Sequence, residues 1–185
     1  MMKATVMKDV VPRNLAMLAA MLALSACAMI ADAPTGPATP ALPTVAPEQR
    51  LANVIAAAKG ADDRELAVQP LRDPQVQDLR EDATAALAAR HYAVAAAALN
   101  QALLITPDDP AILQERAEVA LLQSENQRAE TLAKRAFDLG SRVGPLCRRH
   151  WATIEQARLA RGLVQDAESA HVQIAACTVA GLDRM

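Results

Sequence analysis

The sequence predicts an all-α protein built from antiparallel helical hairpins, and three observations carry that expectation. From Glu48 onward alanine is the commonest residue, and β-branched runs of the kind that form strands are missing. The chain holds only 6 glycines in 185 residues, several of them where a helix would end, such as Gly60 after Lys59. Beyond Pro74 the residues repeat at a single offset of 34.

The elements follow in chain order. Residues 1–26 read as a targeting segment. Lys3, Lys8 and Arg13 give a positive start, and the apolar run Leu15–Leu24 has the length of a signal-peptide core, too short to span a bilayer. The run closes on Leu24-Ser25-Ala26-Cys27, which resembles the lipobox of bacterial lipoprotein precursors. That resemblance implies cleavage before Cys27 and a diacylglyceryl group on its sulfur, with palmitate-type acyl chains as the membrane anchor. Ala28, rather than aspartate, follows the cysteine, which in Gram-negative lipoproteins implies the outer membrane, periplasmic side. The remaining chain carries 16 basic and 20 acidic residues, a net charge of −4 that argues against a nucleic-acid partner.

Residues 27–47 form a tether, with Pro34, Pro37, Pro40, Pro43 and Pro47 among Ala and Thr. Proline removes backbone donors and favours extended chain, so the segment is a spacer. A first helix is expected over Glu48–Ala58, followed by a charged, proline-bearing connection, so that residues 48–75 form an N-terminal helix and linker.

The repeat is legible residue by residue. Leu79 pairs with Leu113, Ala83 with Ala117, Ala95 with Ala129, Ala102 with Ala136 and Ile105 with Leu139. The pattern resembles the tetratricopeptide repeat, whose period is 34. That family places a large residue at position 4, small ones at 8, 20 and 27, and proline at 32, matched by Leu79, Ala83, Ala95, Ala102 and Pro107, with Tyr92 at an aromatic position. A second unit from Pro110 keeps the small residues but has Ser141 in place of the proline. A third begins near Arg148, with Trp151, Ile154, Gly162 and Ala167 in place, but with Glu155 and Ile174 at small positions and a four-residue slip in phase. The resemblance implies a short α-solenoid of three hairpins over 76–109, 110–143 and 148–181. Small residues are required where two helices cross closely.

Such an array needs its ends covered. The Glu48–Ala58 helix is expected to cap the N-terminal end. At the other end, Cys147 would begin one helix of the last hairpin and Cys177 would end its partner, neighbouring positions for a disulfide in an oxidising compartment. Cys147, His150, His171 and Cys177 also make a Cys₂His₂ set, but six residues on one helix turn His171 and Cys177 away from a common ion, so no metal is assigned.

No nucleophile elbow, phosphate loop or His-Glu-x-x-His motif occurs, so neither a catalytic role nor a cofactor is assigned. The adjacent acids at Asp62-Asp63, Glu81-Asp82 and Asp108-Asp109 read as helix caps and solvated turns. The remaining role is binding. In tetratricopeptide proteins ligands lie on the concave face of the first helices, which implies Gln77, Arg80, Thr84, Gln114, Glu118, Arg149 and Gln156 as contacts for a protein or peptide partner in the cell envelope. Arg142, Arg148, Arg149, Arg158 and Arg161 form a basic cluster opposed by Glu155 alone. Arg148 and Arg149 there are expected at a helix N-terminus, where the dipole disfavours cations. This supports a second reading: an envelope spacer that contacts peptidoglycan or anionic lipid through its arginine face.

Overall fold

In a computed structural model of the protein, residues 45–59 and 73–178 are described. Among them the chain forms seven α-helices and no strand: α1 (Pro47–Lys59), α2 (Pro74–Ala88), α3 (Tyr92–Ile105), α4 (Pro110–Leu122), α5 (Asn126–Leu139), α6 (Gly144–Ala160) and α7 (Val164–Ala176). None of these helices is long and apolar enough to cross a membrane. The targeting segment 1–26, the lipidation candidate Cys27, most of the tether and the connection at 60–72 lie outside the described residues.

Helix starts follow from local chemistry. Asp73 and Asp109 each precede a proline, and each carboxylate caps the orphan amides of the first turn. Asp73 accepts from Gln75 N at 2.8 Å; Asp109 accepts from Ala111 N at 2.8 Å and Ile112 N at 3.2 Å. Proline suits the first helical position because its missing N–H would have no partner there.

The turns inside the hairpins are three copies of one structure. Arg90 (φ 59°), Ser124 (φ 60°) and Gly162 (φ 74°) each adopt the left-handed conformation at the second position after α2, α4 and α6. In each copy two successive amides reach back to the helix just ended. Arg90 N bonds Leu87 O and His91 N bonds Ala86 O; Ser124 and Glu125 repeat this on Leu121 and Ala120, Gly162 and Leu163 on Leu159 and Arg158. Satisfying the last carbonyls this way is what ends each helix and reverses the chain.

Helices pack as consecutive hairpins, α2 on α3, α4 on α5 and α6 on α7, and each hairpin meets the next through α3–α4 and α5–α6. Small side chains stand where the axes come together: Ala83, Ala95, Ala102, Ala117, Ala129, Ala136 and Ala167 are all buried. The third hairpin departs from the others at its start. α6 begins at Gly144, four residues before the start expected at Arg148, and runs for 17 residues against 13 in α4. Four residues are about one helical turn, so the slip in phase is absorbed as one extra turn at the N-terminal end. Where α2 and α4 bury alanine, α6 carries Glu155, whose carboxylate faces His171 Nδ1 of α7 at 3.1 Å.

Helix α1 is not the end cap that its place in the sequence implies. It lies against α6 and, less extensively, α4. Its Val54 shares one apolar cluster with Ala120 and Leu121 of α4 and Ala152 and Ala157 of α6. The reason is chemical: α4 and α6 together present an apolar strip bordered by hydrogen-bonding groups. Helix α1 touches α3 through the Tyr92 hydroxyl, which donates to Glu48 Oε1 at 3.0 Å, and Val94 and Leu104 of α3 remain exposed, Leu104 at 82%. At the far end of the stack, Cys147 in the first turn of α6 and Cys177 after α7 stand at disulfide distance, with Cα atoms 5.6 Å apart.

Candidate functional site

With α1, α3, α5 and α6 around it, α4 has almost no solvent-facing side. Ten of its 13 residues are buried, Gln114, Arg116 and Glu118 among them. Buried polar groups cost free energy unless they are paired, and α4 pairs its own with α3 and α6. Gln114 is the hub. Its Nε2 donates to Glu118 Oε1 at 2.8 Å and to Thr153 Oγ1 at 2.7 Å, while its Oε1 accepts from His150 Nδ1 at 2.8 Å. The tautomer with the proton on Nδ1 follows from that partner. Thr153 in turn donates to Arg149 O at 2.9 Å. Arg116 Nε donates to Asn100 Oδ1 of α3 at 2.9 Å.

Ion pairs fix the register of the first helices across the stack. Arg80 of α2 forms a forked pair with Glu115 of α4, and Arg149 of α6 forms another with Glu118 of α4. Paired forks of this kind set geometry as well as energy. Burial raises the Glu118 carboxyl above its ordinary pKa, and the adjacent Arg149 guanidinium and Gln114 amide pull against that rise. Burial pushes the His150 imidazole down to about 4, with the Arg149 charge acting in the same direction.

The residues assigned to binding separate into two groups. Gln77 and Thr84 are exposed on α2: Gln77 bonds Glu81 and Arg80, and the Thr84 hydroxyl donates to Arg80 O at 2.9 Å. Gln114, Glu118, Arg148 and Gln156 are buried. Gln114 and Glu118 belong to the internal network, as do the half-buried Arg80 and Arg149. Gln156 Oε1 accepts from Asn53 Nδ2 of α1 at 3.2 Å, and Arg148 donates to Ala58 O at the end of α1 at 2.9 Å. Among the described residues, the face carrying these side chains is therefore occupied over α4 and α6 by the chain's own helix and exposed at α2.

The arginines of the basic cluster all find partners within the chain, although Arg142 and Arg161 stay exposed. Since α6 starts at Gly144, Arg148 and Arg149 fall in its second turn and not at its N-terminus as expected. Arg148 instead meets the carbonyl end of α1, where a cation is favourable. Arg158 bonds Glu130 at 2.7 Å, Arg161 pairs with the same carboxylate, and Arg142 stacks over the Phe137 ring at 4.1 Å, which itself packs edge-on against Trp151. Sequence reading missed Glu130, one helix away on α5, as the acid that collects two of these arginines. It also missed Asn53, Val54 and Thr153, and it weighed His150 only as a metal ligand rather than as a member of a buried network. A 34-residue offset aligns units with one another and is silent about which element crosses between them.

No protein-family model matches this chain, and no curated protein matches it.

Proposed function

We propose that this chain is a lipid-anchored binding module of tetratricopeptide-like design, held at the periplasmic side of the outer membrane through Cys27. It would engage a protein or peptide partner in the cell envelope. The lipobox-like Leu24-Ser25-Ala26-Cys27 supports the anchor, and the 34-residue period with its repeated left-handed turns supports the solenoid. One observation carries the binding role: the face shared by α4 and α6 holds a helix, α1, through an apolar contact and two directional hydrogen bonds. A surface that seats one amphipathic helix has the groove chemistry by which helical segments are recognised between proteins. The spacer reading is less well supported, because the arginines it relies on are paired with Glu118, Glu130 and the end of α1.

The anchor is tested by fatty-acid labelling of wild type and Cys27→Ser, with the label expected in wild type alone. The role is tested with the detergent-solubilised full chain. Co-isolation of one protein species in stoichiometric amount supports the binding module; sedimentation with purified peptidoglycan in the absence of other protein supports the spacer.

A further inference from the structure

We infer that α1 is a displaceable occupant of the α4–α6 groove, and that the partner is a helical protein segment that replaces it with the same chemistry. The inference rests on the binding-module reading and specifies its ligand. Three observations lead to it.

The seat of α1 is narrow. Of its 13 residues only Val54 is buried, whereas Ala52, Asn53, Ile55 and Ala56 are exposed and Ile55 keeps 44% of its surface. By contrast α4, beneath it, buries ten residues. Although α1 lies along α6 and its Glu48 accepts from Tyr92 of α3 at 3.0 Å, a helix with one buried side chain belongs to the part of a fold that can open without global unfolding.

The groove keeps its own structure without α1. The Gln114–His150–Thr153 network and the Arg149–Glu118 pair join α4 directly to α6 and include no α1 atom. Removing the helix exposes an apolar strip and two polar anchors but breaks none of these bonds.

The anchors read direction as well as shape. Asn53 meets Gln156 while Ala58, further along α1, meets Arg148, earlier in α6, so the bound helix runs antiparallel to α6. Arg148 accepts only a helix whose last carbonyls arrive beside it. The matching segment therefore carries a carboxamide, then a β-branched apolar residue, then small residues three and four positions later, and ends within a turn, as Asn53-Val54-x-x-Ala57-Ala58-Lys59 does. An incoming helix first has access to the groove edge beside α2, where Gln77 and Thr84 are exposed.

The test uses the full chain and a fluorescent synthetic peptide of residues 45–59 as the probe, read by anisotropy. Val54→Asp loosens the resident helix and should raise peptide affinity at least tenfold over wild type. Adding Arg148→Ala to Val54→Asp should remove most of that gain. Asn53→Ala with Ala57→Gly weakens α1 without altering the groove, and should reproduce the gain if the aspartate variant is poorly folded. Equal peptide binding by wild type and both loosened variants overturns the proposal. So does a Val54-dependent dimer of the wild type, which makes a second copy's α1 the occupant. Either failure leaves the binding-module reading standing on its own test, since a partner engaging the open α2 end needs no displacement of α1.

Discussion

Arg90 and Ser124 hold the same left-handed backbone, at φ 59° and 60°, although they lie 34 residues apart and share no side-chain chemistry. Each is the second residue after a helix, and each is followed by an amide that reaches back to close the turn. A side chain in this conformation costs roughly 1 kcal/mol relative to glycine, and the third copy of the turn uses Gly162. Arg90→Gly and Ser124→Gly are therefore each expected to stabilise by about 0.5–1 kcal/mol, and Gly162→Ala to destabilise by a similar amount. Urea unfolding midpoints check all three, and an unchanged Gly162→Ala midpoint would contradict the turn.

Ala129 is fully buried in the cluster that also holds Val54, Ala120 and Ala152. Enlarging it forces α5 away from its neighbours, so Ala129→Leu is expected to cost about 1–3 kcal/mol. A thermal unfolding curve coincident with wild type would mean that the helices do not approach closely there.

Stability should fall in mild acid through His150. Its folded-state pKa is about 4, below the ordinary 6.5, so the unfolded chain takes up a proton that the folded chain refuses. The contribution is present in full above pH 6.5 and is lost as pH drops to about 4, amounting to roughly 3 kcal/mol. Glu118 acts with the opposite sign, because its raised pKa lets the folded state bind a proton first as pH falls. Comparing unfolding free energies of wild type and His150→Gln across pH 4–7 separates the two. The variant should lose the acid-side decline that wild type shows, and parallel curves would exclude His150 as its source.

Cys147 and Cys177 tie the start of α6 to the end of α7, the last of the three hairpins, which meets a neighbouring hairpin through α5–α6 alone. Reduction should loosen this hairpin first. Amide exchange is expected to quicken around Trp151 and Ile174 before α2–α5 respond; uniform quickening along the chain would contradict it.

The helical content and the places where hairpins reverse were legible in the sequence, because propensity, capping aspartates and glycine act within a few residues. Asp109-Pro110 announces α4 and Gly162 announces the end of α6 in this local way. The start of α6 was not, because Pro145 reads equally as a break or as the first turn of a helix, and only the tertiary seat decides. The position of α1 was less legible still. Its periodicity defines an apolar side but not whether α3 or the α4–α6 face receives it. The polar residues assigned to binding show the same limit: Gln114 and Glu118 have the character of ligand contacts, but in the fold they face each other.

On the proposed reading, this chain meets a protein in the envelope at the face formed by α2, α4 and α6. A photo-crosslinking amino acid placed at Thr84, exposed at the open end of that face, or at Val172 on the exposed side of α7, tests it in intact cells. One discrete protein adduct is expected from Thr84 and none from Val172. Adducts of equal yield from both positions, or none from either while the protein is retained on peptidoglycan, would contradict it.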